Sequence, residues 1–239
     1  MSVELFINDL AAYRSANDVF NPWGSLHDPL YDLPDASSRR KNNLKKYLEQ
    51  RVPNADYIFV AEALGYQGGR FSGIAMTSER ILAGKYRSIP PSAVFSLDTD
   101  FEYLRSSNPD LELGARVRKR FGFAEPTATT VWNTIFALGL HPNQVILWNI
   151  FPFHPYKMNE GGLSNRSLDI VSDDLLTGIS FVQKLLQMNP RAKLIAIGIP
   201  SKTKLDEYNI SCYTVPHPSK GGTPEFKQAL RETIEQLRD

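Results

Sequence analysis

Short, uninterrupted apolar runs recur along the chain, and stretches with helical spacing lie between them. Residues 57–61 form one such run, closed by Gly65 and the Gly68-Gly69 pair. Residues 145–148 form a second, stopped by Pro152, and 194–197 a third, while 212–215 read as a fourth strand. Runs of this length without polar alternation predict strands buried on both faces. Leu5, Phe6, Leu10 and Tyr13 predict a short helix over 3–14, followed by an irregular Asn-, Pro- and Asp-rich stretch through residue 36. Ser37 or Ser38 can cap a basic helix reaching about Arg51, where Pro53-Asn54 breaks it. Residues 128–139 suit a helix ended by Gly139. Leu168, Val171, Leu175, Ile179, Val182 and Leu186 mark a longer one over 167–188, closed by Asn189-Pro190. Thr223 can cap a last helix with Pro224 at its first position and Phe226, Leu230, Ile234 and Leu237 facing inward. Apolar strands alternating with amphipathic helices predict an α/β fold: a three-layer α/β/α sandwich around a central, mainly parallel four-stranded sheet. No repeat or linker interrupts residues 1–239, so one domain is expected.

Composition narrows the classes of function. With 239 residues, 42% of them hydrophobic and 11% aromatic, the chain can bury a full core and is not a disordered sequence. No apolar run approaches the roughly 18 residues of a membrane span, so no membrane partner is expected. The start, MSVELFINDL, lacks the basic-then-apolar pattern of a signal peptide, and a cytoplasmic monomer is the expectation. Cys212 is the single cysteine, which excludes a disulfide framework and a four-cysteine cluster. His27, His141, His154 and His217 include no pair at helical i, i+4 spacing, so neither a metal site nor a cofactor is expected. The 27 Lys and Arg against 26 Asp and Glu leave no strong global charge. Arg39, Arg40, Lys41, Lys45 and Lys46, and then Arg116, Arg118, Lys119 and Arg120, read by themselves as solvated helix faces.

The chemistry is concentrated where three predicted strands end, the place at which open α/β sheets bind ligands. The first runs into AEALGYQGGRFSGIAMTSE (61–79), the second into WNIFPFHP (148–155) and the last into VPHPSKGG (215–222). The glycines match neither the spacing of a dinucleotide-binding loop nor that of a phosphate-binding loop ending in Lys-Ser/Thr. Taken in order, the three segments resemble the uracil-DNA glycosylase superfamily. AEALG resembles its first motif, WNIFPFHP the segment that places a base-reading Asn, and HPS (217–219) its second motif. Asn165-Arg166 resembles a pair that follows the base-reading segment in some branches. Three positions depart from the pattern: Ala61 stands for Gly, Leu64 for Pro, and Met76 for the Phe that stacks on the base. One cysteine leaves only the branches without an iron–sulfur cluster.

The resemblance implies a DNA glycosylase that flips a pyrimidine from the duplex and hydrolyses its N-glycosidic bond. Glu62 and His217 are then the catalytic residues. The carboxylate faces the cationic sugar or its attacking water, and the imidazole donates to the pyrimidine O2 as charge gathers there. Asn149 reads the base edge, with uracil or cytosine matched according to how its amide is turned. Met76, Phe71 and Phe151 are candidate pocket walls. Ser219, Lys220, Gly221, Arg70 and Arg166 are candidate phosphate contacts to a DNA partner. The flexible thioether of Met76 leaves open an antiviral-defence glycosylase that removes bulky modified cytosines, such as glucosylated hydroxymethylcytosine, from phage DNA. The altered first motif leaves open a DNA-binding module of the same fold with little catalysis.

Overall fold

The computed structural model describes all residues except 16–17, 26–27, 96–102, 111–115, 157–171 and 239. In chain order it runs through α1 (Val3–Ala12), β1 (Val19–Phe20), α2 (Ala36–Arg51), β2 (Tyr57–Ala63), α3 (Gly69–Ser72) and α4 (Glu79–Leu82). It continues with α5 (Arg116–Phe121), α6 (Pro126–Ala137), β3 (Val145–Phe151), β4 (His154–Pro155), α7 (Ser172–Met188), β5 (Lys193–Ile197), α8 (Ile199–Glu207), β6 (Tyr213–Val215) and α9 (Thr223–Arg238). Strands β3, β2, β5 and β6 lie in that order in one sheet, all parallel. Helices flank this sheet in a three-layer α/β/α sandwich, with α7 against β3, α8 against β5 and β2, and α9 against β6. Among the described residues no helix is long and apolar enough to cross a membrane.

Strands β2, β3 and β5 form because their side chains are mostly buried, whereas β6, at the sheet edge, buries only Val215. Every residue of β3 is buried, as are the first five of β2. Both strands run past their expected ends, to Ala63 and Phe151, because the parallel register Ala61↔Asn149 and Ala63↔Phe151 holds the polar tips in the ladder. Phe226, Leu230 and Ile234 of α9 are buried at helical spacing, each contributing roughly 1.5–3 kcal/mol. Helix α6 opens on Pro126, where the missing amide is no loss, and Gly139 leaves the helix at φ +65°.

Some elements differ from the sequence expectation. The described part of the long helix begins at Ser172; Leu168 and Val171 lie outside the described residues. Helix α2 begins at Ala36 after Asp35 rather than behind Ser37 or Ser38; the Ser37 hydroxyl donates to Trp23 O at 2.9 Å instead. Thr223 stands inside α9, and its hydroxyl donates to Pro218 O at 3.1 Å. Helix α8 was not expected at all: it buries only Ser201 and Leu205, too few for a legible stripe.

One buried carboxylate organises the segment that leads to α6. Glu79 accepts from the amides of Ser106, Ser107 and Phe123 at 3.1–3.2 Å, from Ser107 Oγ at 2.6 Å and from the Tyr103 hydroxyl at 2.9 Å. Gly122 takes φ +74° beside it, where any side chain would overlap that carboxylate. Residues 103–107 and 122–123 are thereby tied to α4, which sets the start of α6 beside the carboxyl end of β2.

Candidate active site

Parallel strands end on one edge of the sheet, so β2, β3 and β6 deliver their polar tips to the same rim. There a cavity of about 240 Å³ opens, lined by residues 61–65 together with Met76, Glu125, Thr127, Asn149, Pro155 and His217. Glu62, Asn149, His217 and Met76, far apart in sequence, thus share one space. Two contacts from the β4 segment fasten the tip of β2. Leu64 N donates to Phe153 O at 3.3 Å, and His154 Nδ1 lies 3.0 Å from Leu64 O.

Asn149 has only 2% of its surface exposed. Its Nδ2 donates to Ala63 O at 3.0 Å, while Oδ1 is buried without a hydrogen-bond partner. The backbone carbonyl can only accept, so this bond fixes which end of the amide is which. Asn149 therefore presents its oxygen, an acceptor, as the unsatisfied group at the cavity.

His217 is oriented just as definitely. Its Nδ1 lies 3.1 Å from Ser219 N and 2.8 Å from Ser219 Oγ. A backbone amide can only donate, so Nδ1 accepts and the proton of the neutral ring sits on Nε2. Burial pushes the imidazole below its ordinary pKa, which keeps it neutral near pH 7. The loop carrying it is compact: Gly222 N donates to Ser219 O at 3.0 Å, and a Cβ on Gly222 would come within 2.6 Å of His217 O. Ser219, Lys220 and Gly221 are exposed at its tip, with Lys220 and Gly221 at φ +53° and +86°.

Glu62 is half-buried at the rim. It stands at the cavity lining beside Ala61, Ala63, Leu64 and Gly65. Met76 is nearly buried and adopts φ +46°, an unfavourable conformation for a side chain with a Cβ. Such strain, on the order of 1–3 kcal/mol, is typically found at binding sites.

Three expected site residues are placed elsewhere. Phe71 is buried in a separate cluster, its ring stacked on Phe123 at 3.9 Å and edge-on to Tyr31. Phe151 is buried in the main core, edge-on to Tyr13 and Phe153. Arg70 is 1% exposed, paired with Asp28 at 2.6 Å and lying over the Phe20 ring, so no phosphate can reach it. The reason is common to all three. All three are bulky side chains that the fold packs into its interior, Phe151 from the last position of β3 and Arg70 and Phe71 from α3. Arg166 lies outside the described residues.

Glu125 and Thr127 line the cavity without having been expected there. A Glu before the Pro that opens a helix is unremarkable locally, so the sequence carried no signal for it. Its carboxyl packs against the β2–α3 loop, where a Cβ on Gly65 would lie 2.6 Å from Oε1 and one on Gly68 would overlap Oε2. Oε2 is buried with no hydrogen-bond partner, and burial raises the pKa from 4.5 to about 7.

The fold is shared with a solved protein. The crystal structure of wild-type SMUG2 from Pedobacter heparinus matches with a TM-score of 0.61, covering 99% of this chain and 96% of that one. Sequence identity over the match is 12%, so the likeness is one of fold. No protein-family model and no curated protein matches the chain.

Proposed function

We propose that the protein is a DNA glycosylase that extrudes a uracil or related pyrimidine and hydrolyses its N-glycosidic bond, leaving an abasic site. The observation that carries this reading is the meeting of Glu62, Asn149 and His217 on one cavity at the sheet rim. SMUG2 is a glycosylase of the uracil-DNA glycosylase superfamily, and the shared fold supports the same class here.

The reaction separates charge: the sugar becomes cationic as the C1′–N1 bond breaks, and the base leaves as an anion. Glu62 supplies negative charge beside the sugar and accepts a proton from the water that adds to C1′. The Nε2–H of His217 donates to the pyrimidine O2, and a neutral donor suffices because the negative charge grows only as the bond breaks. Asn149 Oδ1 accepts from N3–H of uracil or from the 4-amino group of cytosine, according to how the base enters. Extruding the base costs a few kcal/mol, offset by these contacts and by phosphate contacts from Ser219, Lys220 and Gly221.

The test is an oligonucleotide panel carrying uracil or modified pyrimidines, treated with alkali after incubation to cut abasic sites. Abasic product from at least one substrate is expected, and none from any would refute the reading. DNA bound tightly without turnover would mark a binding module instead.

A second reading, excision of bulky modified cytosines in antiviral defence, is favoured by Met76 in the cavity wall, whose flexible thioether can fit bases of different shape. Activity on glucosylated hydroxymethylcytosine alongside uracil distinguishes the two readings.

A further inference from the structure

We propose that Glu125 is a further specificity-determining residue of the cavity, donating a hydrogen bond to an acceptor atom on the edge of the extruded pyrimidine. The proposal rests on the glycosylase reading and adds a contact that Glu62, Asn149 and His217 do not make.

The geometry comes first. Glu125 lines the same cavity as those three residues, held at the first turn of α6. Gly65 and Gly68 leave room for its carboxyl where any side chain would collide with it. A Cβ on Gly68 would overlap the carboxyl oxygen Oε2. The loop is shaped around an acid whose Oε2, among the described residues, is buried without a hydrogen-bond partner. A buried polar atom left unpaired is unfavourable by about 1–3 kcal/mol, a penalty that a ligand completing the bond removes. With a pKa of about 7, the group carries its proton below neutrality and can donate. A pyrimidine offers it acceptors at O2 and O4, or at N3 of cytosine.

The other titratable groups around it are few. Glu62 belongs to β2 and Tyr66 to the loop after it. Arg70 on α3 is committed to Asp28, and His217 stands on the far element of the cavity. Burial lowers the pKa of His217 and raises that of Glu125, so the two shifts run in opposite directions.

The experiment measures binding of duplexes bearing one 2′-fluoro-2′-deoxyuridine or one 2′-fluoro-5-hydroxymethyl-2′-deoxycytidine, whose glycosidic bonds resist cleavage. Wild type, Glu125→Gln and Glu125→Ala are compared at about pH 6 and about pH 8.5, after thermal melts show that each is folded. Wild type should bind at least one probe about tenfold more weakly at the higher pH, equal to about 1.4 kcal/mol. Glu125→Gln, whose amide donates at every pH, should bind that probe equally at both. Glu125→Ala should stay at the weak level throughout. A wild type insensitive to pH, or a Glu125→Gln variant that follows the wild-type profile, overturns the contact. So does a wild type that fails to distinguish either probe from an unmodified duplex. Turnover on the corresponding cleavable duplexes separates the two claims. Glu125-dependent binding without abasic product sinks the glycosylase reading alone, and abasic product with Glu125-independent binding sinks this proposal alone.

Discussion

Replacing Glu125 by Gln should make the protein more stable at pH 8 and leave it nearly unchanged at pH 4. The folded carboxyl holds its proton up to about 7, against 4.5 for the same group free in solution. Below 4.5 the acid is protonated in both states and contributes no difference. Between 4.5 and about 7 the unfolded chain releases its proton while the folded protein retains it, so the native state loses stability as pH rises through that window. At about 1.4 kcal/mol for each pH unit, the loss is complete above about 7 and amounts to about 3 kcal/mol. A Gln side chain has the same shape and no charge to desolvate, so the variant escapes the loss. For a chain of this length each kcal/mol moves Tm by roughly 2–4 °C, which predicts a gain of about 6–12 °C at pH 8. Thermal or urea unfolding of both proteins from pH 4 to pH 8.5 measures it. A difference that does not change with pH, or one that grows toward acid, would refute the reasoning, because only ionisation of a desolvated carboxyl produces this sign.

Other consequences are independent of that one. Glu62→Gln and His217→Ala should each lower glycosylase turnover by about 10²–10³-fold while changing DNA affinity by less than about threefold; single-turnover rates and a binding isotherm check this. Gly68→Ala should destabilise the protein by about 1–3 kcal/mol through collision with the Glu125 carboxyl, and most of the loss should vanish in the Gly68→Ala/Glu125→Ala double variant. Additive losses in that cycle would mean the two residues do not compete for the same space. Arg70→Ala should lower stability by about 1–3 kcal/mol by removing a buried side chain and one partner of Asp28, without changing the salt dependence of DNA binding. Lys220→Ala should do the reverse, keeping stability and reducing the slope of log affinity against log salt by about one. Finding the salt effect at Arg70 instead would contradict its burial.

How much of this was legible beforehand depends on the range of the interaction involved. Three of the strands could be read from residues 57–61, 145–148 and 194–197, because burial leaves a continuous apolar run, while 212–215, at the exposed sheet edge, was legible only as a short β-prone segment. Parallel pairing then requires those strands to end on one rim, and so Glu62, Asn149 and His217 could be expected together before any coordinate existed. Helix α8 escaped notice because packing against β5 and β2, not its own pattern, holds it in place.

Direction and neighbourhood were decided only in three dimensions. Phe71, Phe151 and Arg70 sit in or beside the same motifs as the cavity residues, yet their side chains are buried away from the cavity. The Asn149 amide is set by the carbonyl of Ala63, 86 residues away, and the sequence around Asn149 is compatible with either orientation. Glu125 reaches the cavity through the anchoring of residues 103–107 and 122–123 around Glu79, and its raised pKa exists only because folded chain replaces water around it. Local pattern determined which segments become strands and where polar groups gather. The proton positions, the amide orientation and the second acid of the cavity came from contacts between distant segments, which hydrophobic spacing along a chain does not record.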